Sequence, residues 1–332
     1  MANTVLLIGG CGFIGTHVTQ QLVERGDRVI ALDIRPWGPQ LGWLIEPHKA
    51  NVMFEYGSVE HWEQLTSAVK KHKPNKIAHM AASIDILALN RNPKMAFDLM
   101  VSGTLNVLEA CRIFDIERFV FFSSIGVLPT VQYQPIDANH PTLMADQGAG
   151  SGAYGAAKIA GEAFCWAYQK SYGLDFVILR PSAAYGFYTA NPTIFINTIV
   201  DAAVRGEALH IGSGREFPRD YTHVSDIAGI TVAALDAPGS QLKHRVFYAA
   251  TGEKLVTAGE VADIVTSVIP SAQIEIASGL SEQDQLGIKY RGMHDMQPVK
   301  EQLGYTVKYA DVRDGIREYI DTTRKYYEAT NR

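Results

Sequence analysis

A glycine-rich loop separates an apolar run at residues 5–8 from a segment of helical spacing at residues 12–25. Glycines let backbone N–H groups approach a ligand closely, and the helix that follows offers unpaired N–H donors and the positive end of its dipole. A strand, a loop of this kind and a helix, in that order, are typical of the turn that holds the pyrophosphate of a dinucleotide in an α/β domain. We expect the dinucleotide contacts to come from Gly9, Gly12, Phe13, Ile14 and Gly15.

An acidic residue follows the second apolar run. Asp33 stands directly after residues 29–32, where a carboxylate binds the adenosine ribose hydroxyls in such domains. A carboxylate there would repel a 2′-phosphate, so the sequence predicts NAD rather than NADP as the cofactor. Arg35 lies close by and keeps NADP open as an alternative.

Short apolar runs and longer helical segments continue to alternate along the chain. This pattern predicts an α/β fold, a Rossmann-type doubly wound parallel sheet with a smaller C-terminal substrate-binding region. Further strands are predicted at 76–79, 118–122 and 176–179, and further helices at 94–113, 153–172, 194–205, 225–236, 257–268 and 311–328. We expect residues 1–180, joined by 220–252, to form the NAD-binding domain, and residues 181–219 and 253–332 to form the substrate-binding region.

Composition excludes several classes of function. Lys and Arg total 30 against 35 Asp and Glu, a net charge of −5, which argues against a protein that binds nucleic acid backbones. No apolar stretch is long enough to span a bilayer, and the N-terminus lacks the pattern of a signal peptide. Three scattered cysteines suit neither a disulfide framework nor a zinc site. We therefore expect a cytoplasmic protein without nucleic acid, membrane or metal partners.

Tyr154 and Lys158 lie four residues apart in the segment predicted as a helix, so they share one face of it. A nearby ammonium favours the phenolate and lowers the pKa of a tyrosine, which could then take a proton from a substrate hydroxyl. A Tyr and a Lys four residues apart are common on helices, and such a pair by itself would indicate only two residues on a helix surface. Its significance comes from Ser123 and Ser124, which end the apolar run at 118–122 and so stand where ligands bind in parallel sheets.

Several motifs together resemble the extended short-chain dehydrogenase/reductase superfamily, in particular its NAD-dependent sugar epimerase/dehydratase family of UDP-glucose 4-epimerase-like proteins. Besides the glycine loop and the Ser, Tyr and Lys positions, the motifs are His79-Met80-Ala81-Ala82, Gly103-Thr104-Leu105-Asn106, Arg180-Pro181 with Tyr185-Gly186, and Arg219-Asp220-Tyr221-Thr222-His223-Val224-Ser225-Asp226.

The resemblance implies NAD-dependent hydride transfer at a secondary alcohol carbon of a sugar or sugar-like small molecule. Ser124, Tyr154 and Lys158 fall on the catalytic positions of the family. The implied cofactor contacts, beyond the glycine loop and Asp33, are Ser58, Val59, Ala81, Ala82, Ser123, Tyr154, Lys158 and Pro181. The implied substrate contacts are Ser83, Ser124, Ala183, Tyr185 and Arg219, with Tyr185, Tyr188 and Asn191 in a loop over the substrate. Related enzymes commonly dimerise through helices that correspond to 94–113 and 153–172, so a homodimer is expected.

The chain departs from the family pattern where a nucleotide-sugar diphosphate is usually bound. Ala183 stands in place of an Asn, and neither the Arg nor the Asp of an R-x-G-D motif occurs at residues 285–288. Moreover, Ser123-Ser124-Ile125-Gly126-Val127 locally resembles extended-family L-threonine dehydrogenases. These departures favour an alternative, a net NAD-dependent dehydrogenase of a non-nucleotide sugar, sugar acid or hydroxy amino acid. A non-catalytic dinucleotide sensor is a third hypothesis, against which the intact Ser, Tyr and Lys argue.

Overall fold

The computed structural model of the chain describes residues 3–188 and 195–330. Its strands are β1 Thr4–Ile8, β2 Arg28–Asp33, β3 Val52–Tyr56, β4 Lys76–His79, β5 Arg118–Phe122, β6 Leu143–Met144, β7 Gly148–Ala149, β8 Phe176–Pro181, β9 Ala183–Tyr185, β10 Leu209–Ile211, β11 Pro218–Arg219, β12 Tyr221–His223, β13 Val246–Ala249, β14 Val256–Thr257 and β15 Ile274–Ile276. Its α-helices are α1 Phe13–Glu24, α2 Pro39–Ile45, α3 Trp62–His72, α4 Ile86–Arg91, α5 Pro93–Ala96, α6 Gly103–Ile113, α7 Gly152–Tyr172, α8 Phe195–Arg205, α9 Val224–Asp236, α10 Ala258–Val268, α11 Glu282–Ile288 and α12 Val312–Thr330.

A seven-stranded parallel sheet organises the molecule, in the order β13-β8-β5-β4-β1-β2-β3. Its central strands are buried on both faces, which explains their continuous apolar sequences. One face packs against α1 and α9 around Val18, Leu22 and Ile227, and the other against α3 and α6 around Leu65 and Leu108. The predicted Rossmann-type sheet is therefore confirmed.

The two edge strands of this sheet, β3 and β13, and the helix α3 were not predicted from the runs of apolar residues. The side chains of β3 are only half buried, and apolar and polar residues are mixed in it, so its sequence is not a continuous apolar run. The helix α3 has the sequence WEQLTSAVKKH, whose apolar residues are sparse. The predicted helix at 94–113 consists of α5, a π-helical turn at Phe97–Ser102 and α6. The other predicted helices agree with the structure to within about two residues at each described end.

Beyond β8, a third hydrophobic core joins α8, α10 and α12 around Ile199, Val261 and Ile316. Between these elements the chain returns to the sheet, because α9 covers one face of it and β13 pairs with β8 in parallel. The paired strands β9, directly after β8, and β12 contribute Tyr185 and Tyr221 to this third core. Within the described ranges, no helix combines the length and apolarity needed to cross a bilayer.

We predict that Gly15→Ala destabilises the fold. A methyl group on Gly15 would lie 2.3 Å from the carbonyl oxygen of Gly9 and 2.8 Å from the Cα atom of Gly10, both of them backbone atoms. Because backbone cannot move aside as a side chain can, we expect a loss of about 1–3 kcal/mol in the free energy of unfolding. Urea unfolding measures it, with Gly212→Ala as the control, since an added methyl there meets no atom within 4 Å. Equal stability of the two variants would contradict the prediction.

Candidate active site

The parallel sheet brings most of the predicted cofactor and catalytic residues to one edge. Gly9 follows β1, Asp33 ends β2, Ser58 lies two residues beyond β3, Ala81, Ala82 and Ser83 follow β4, Ser123 and Ser124 follow β5, and Pro181 ends β8. All of these strands run in the same direction. Their carboxyl ends therefore form one crevice, which is where open α/β sheets bind ligands.

The glycine loop packs closely against neighbouring backbone. Gly9 has a φ of 81°, and a Cβ atom on it would lie 2.8 Å from the backbone nitrogen of Ala81. Gly12 caps α1 without a side-chain hydrogen bond, so the cap residue supplies no acceptor to the first-turn N–H groups of this helix. Val59 is buried, and its side chain packs so closely on Gly103 that an added Cβ would lie 2.6 Å from it.

The carboxylate of Asp33 is held beside this loop. It accepts a hydrogen bond of 3.1 Å from the backbone nitrogen of Cys11. Burial raises the pKa of Asp33, while backbone N–H groups of Cys11, Ile34 and Arg35 act in the opposite direction. A close glycine turn, a helix N-terminus without a side-chain cap and a carboxylate at the end of the next strand fit an NAD molecule. When bound, NAD supplies the hydride acceptor.

Ser124 and Tyr154 meet at the carboxyl end of β5. The Ser124 hydroxyl accepts a hydrogen bond of 2.9 Å from the Gly126 nitrogen and hydrogen-bonds the phenol of Tyr154. Gly126 fits tightly between them, since an added Cβ would lie 3.2 Å from both the Ser124 oxygen and the Tyr154 ring. Tyr154 and Ala82, one of the predicted cofactor residues, pack against the same small buried cluster.

The pKa of Tyr154 differs from the sequence-based expectation. Burial raises the pKa of the phenol, and the hydrogen bond from Ser124 only partly offsets this. The expected lowering by Lys158 was wrong for the protein by itself, because the ammonium lies 5.9 Å from the centre of the Tyr154 ring and donates to another group.

Lys158 is buried beneath the strand end. Its ammonium donates a hydrogen bond of 2.6 Å to the carbonyl oxygen of Phe122 and lies 5.2 Å from the centre of the Phe121 ring. Burial lowers the pKa of Lys158 to about 8, against an opposing effect of Glu162, so the side chain is mainly protonated at pH 7. Burial and the charge of Lys158 lower the pKa of His79 to about 3, which keeps this neighbour neutral.

A buried polar network lies behind the catalytic positions. The Ser123 hydroxyl donates to Glu162, which also binds Arg180 through two hydrogen bonds of 2.9 and 2.7 Å. Arg180 donates in turn to the hydroxyl of Tyr248 at 3.2 Å. The side chain of Ser123 is thus engaged by the protein, so a cofactor contact from this residue is expected from its backbone. The network fixes the ends of β5 and β8 relative to α7.

The structure corrects one predicted substrate residue. Tyr185 is fully buried in the core formed with α12, and its hydroxyl donates to the carbonyl oxygen of Val312 at 3.4 Å. The expected substrate contact of Tyr185 was therefore wrong, since its side chain supports the fold. Tyr188 is partly exposed beyond β9, and Asn191 lies outside the described residues. His223 is buried 2.8 Å from Glu318, in agreement with a structural role.

Two arginines converge in the C-terminal part. The guanidinium carbons of Arg219 and Arg291 lie 4.9 and 5.4 Å from the centre of the same Phe217 ring. Burial lowers the pKa of both, and the charge of Arg219 lowers that of Arg291 further, to about 10. Among the described residues, the Nε atom of Arg291 has no hydrogen-bond partner. The sequence did not predict Arg291, because it is followed directly by Gly292 and so does not match the spacing of the R-x-G-D motif.

No group of three or more metal-ligating side chains occurs in the described part of the chain. The arrangement therefore consists of a dinucleotide cleft, a Ser-Tyr-Lys set beside it, and a pair of cationic side chains further along. Tyrosine beside a cofactor is suited to proton transfer at an alcohol, and arginine side chains are suited to binding an anionic group.

The model of the NAD dependent epimerase/dehydratase family matches residues 5–250. The chain is 30% identical over 250 residues to the UDP-glucose 4-epimerase of Rhizobium meliloti. This alignment covers 70% of this chain and 72% of the relative. It is 27% identical to a Methanocaldococcus jannaschii protein provisionally named a UDP-glucose 4-epimerase, over 96% of this chain and 97% of the relative. The Thermus thermophilus UDP-glucose 4-epimerase, solved in complex with NAD, superposes with a TM-score of 0.77 at 25% identity, covering 97% of this chain and 99% of that one.

We predict that Tyr154→Phe removes turnover and keeps NAD binding. The variant loses only the phenol oxygen, so a loss of the acid/base group should lower kcat about 10²–10⁴-fold. Fluorescence titration with NADH measures cofactor affinity, which should stay within about twofold because ring packing is unchanged. Tyr172→Phe, at an exposed position on the same helix, is the matched control. Full activity of Tyr154→Phe would show that another group moves the proton.

Proposed function

Because this chain belongs to the NAD-dependent epimerase/dehydratase family, we propose that it epimerises one secondary alcohol carbon of a nucleotide-diphosphate sugar. The chain is an NAD-dependent enzyme, and hydride transfer at a sugar carbon is the chemistry of its family. We propose in addition which residues act, that the substrate carries a diphosphate, and that the configuration of the carbon is reversed.

Tyr154 takes the hydroxyl proton of the substrate while the hydride of the same carbon leaves, so the alcohol is oxidised to a ketone. Ser124 donates a hydrogen bond to the substrate oxygen and holds it beside the phenol. Lys158 places a positive charge under Tyr154 and anchors the nicotinamide ribose. The ketone then turns its other face toward the reduced cofactor, which would return the hydride to that face of the carbon while Tyr154 returns the proton to the oxygen, so the sugar is inverted with no net oxidation.

The paired guanidinium groups of Arg219 and Arg291 carry the proposal of a diphosphate. Two like charges that share one aromatic ring and are partly buried repel each other and lose hydration. A dianionic group between them would relieve both penalties, and the forked donors of arginine match phosphate oxygens. Arg291 thus offers the second cation that is missing from the sequence at 285–288.

The remaining predicted residues keep the roles implied by the family. We propose that Ser83 and Ala183 line the sugar site together with Ser124 and Arg219. The cofactor is held by Gly9, Gly12, Phe13, Ile14, Gly15, Asp33, Ser58, Val59, Ala81, Ala82, Ser123, Tyr154, Lys158 and Pro181. Residues 1–180 with 220–252 form the NAD-binding part, and 181–219 with 253–332 form the substrate-binding part.

A net dehydrogenase of a non-nucleotide hydroxy compound is the second candidate. It is favoured by Ala183, by Gln285 and Ile288 in place of the Arg and Asp of the R-x-G-D motif, and by the stretch Ser123-Ser124-Ile125-Gly126-Val127. In that case the ketone would leave and the reduced cofactor would be released.

We predict that the NAD-loaded protein converts UDP-glucose or UDP-galactose into its epimer without stoichiometric NADH. Proton NMR of the sugar and absorbance at 340 nm distinguish isomerisation from net oxidation. Arg291→Gln should raise KM about 10–100-fold and change kcat little, because a charged hydrogen bond used in both ground and transition state is lost. Arg324→Gln, exposed on α12, is the control. Stoichiometric NADH, or oxidation of a non-nucleotide alcohol in place of epimerisation, would reject the proposal in favour of the second candidate.

We propose that the enzyme is a homodimer joined through the helical segments at 94–113 and 153–172. Phe97 is 54% exposed and Phe164 is 37% exposed on these segments, which suits burial against a second copy. Sedimentation should give a dimer that Phe164→Lys weakens, and a monomer at micromolar concentration would contradict this.

A cytoplasmic location stays a prediction, supported by the three buried, free cysteines Cys11, Cys111 and Cys165.

A further inference from the structure

A buried histidine–aspartate contact joins the two segments that carry the paired arginines. His294 Nδ1 lies 3.2 Å from the Oδ2 atom of Asp220, and both side chains are almost fully buried. Asp220 follows Arg219 directly, and His294 lies three residues after Arg291. The contact therefore connects the two stretches of chain on which the guanidinium groups depend.

Asp220 is the centre of this connection. Its carboxylate also accepts hydrogen bonds from the Thr222 hydroxyl at 2.9 Å and from the Thr251 nitrogen at 3.1 Å. Its carbonyl oxygen accepts from the Ser182 hydroxyl and the Ala183 nitrogen, at 2.9 and 3.2 Å. Asp220 is thus fixed to the ends of β8 and β13, so whatever binds its carboxylate is placed relative to the reacting edge of the sheet.

The imidazole of His294 is not needed for packing. Its ring lies against Tyr248 with 4.8 Å between centroids, a contact that a phenyl ring could also make. Its Nε2 atom is buried and has no hydrogen-bond partner among the described residues, which is unfavourable for a side chain that only fills space. The hydrogen bond from Nδ1 to Asp220 is then the contribution that distinguishes histidine from an apolar ring at this position.

The backbone around His294 is anchored independently on its other side. The nitrogen of Ile136 donates to the carbonyl oxygen of Met293 at 2.7 Å, and the nitrogen of Asp295 donates to that of Ile136 at 2.8 Å. Because these bonds do not involve the imidazole, the segment should keep its fold when the side chain is changed. Such a change would then alter only the distance between the segment around residue 294 and Asp220.

We propose that His294 is a positioning residue that sets the spacing of Arg219 and Arg291 for a diphosphate through its bond to Asp220. This inference rests on the proposed function, since it needs a substrate with a diphosphate. It predicts that His294 affects the binding of a diphosphate probe but not the binding of NAD.

Calorimetric titration of the NAD-loaded protein with UDP tests this proposal. His294→Phe keeps the ring but loses the donor, and we expect it to weaken UDP binding about tenfold while NAD affinity changes less than about twofold. His294→Asn places an amide donor near the position of Nδ1 and should restore most of the UDP affinity. In an Arg291→Gln background, His294→Phe should weaken UDP binding by less than about threefold, because the spacing of the two guanidinium groups no longer matters once one of them is removed.

The outcomes distinguish a failure of the proposed role of His294 from a failure of the proposed diphosphate substrate. If Arg291→Gln weakens UDP binding but His294→Phe leaves it unchanged, or if the two effects simply multiply, His294 does not position Arg291 and only this inference fails. Equal losses of UDP and NAD affinity in His294→Phe would indicate a general structural role and would also overturn it. If the wild-type protein does not bind UDP, the proposed diphosphate substrate fails and the role of His294 fails with it.

Discussion

Parallel pairing of the sheet strands is the constraint on which the rest of the molecule depends. Because β1, β2, β4, β5 and β8 run in one direction, residues that are far apart in sequence end at the same edge. The glycine loop can approach Ala81 only because β1 and β4 are neighbours. In the same way, Lys158 reaches the end of β5 because α7 packs directly beside that strand. The strand order therefore determines which side chains can lie together in the candidate active site.

Buried charge is tolerated in this molecule where it is balanced or used. Arg180 and Glu162 form a bidentate pair that also receives the hydroxyl of Ser123, so the charges behind the site satisfy one another. Lys158 has no such pair, and its ammonium donates to a carbonyl oxygen, with a pKa lowered to about 8. This ammonium lies 5.9 Å from the centre of the Tyr154 ring, in the candidate active site. Arg291 is also buried, with a pKa lowered to about 10, and it lies beside Arg219 against the ring of Phe217.

The sequence was sufficient to predict the central strands of the sheet and the helix that carries both Tyr154 and Lys158, because these depend on local patterns such as apolar runs and helical spacing. It was not sufficient where tertiary packing decides. Tyr185 belongs to a motif yet lies in the core, because α12 returns over it from the far end of the chain. The pKa of Tyr154 is raised by burial, which no spacing reveals. Arg291 meets Arg219 across 72 positions of sequence, a convergence that becomes visible only once both segments surround Phe217.

The central claim is that a hydride leaves one sugar carbon and returns to the same carbon after the ketone has turned over. Deuterium placed on that carbon of the substrate tests it most directly, with the product analysed by NMR and mass spectrometry in ordinary water. Retention of the label at the inverted carbon is the predicted result, because the hydride never exchanges with solvent. Loss of the label to water during inversion would contradict the claim, since it would mean that the carbon is deprotonated rather than oxidised.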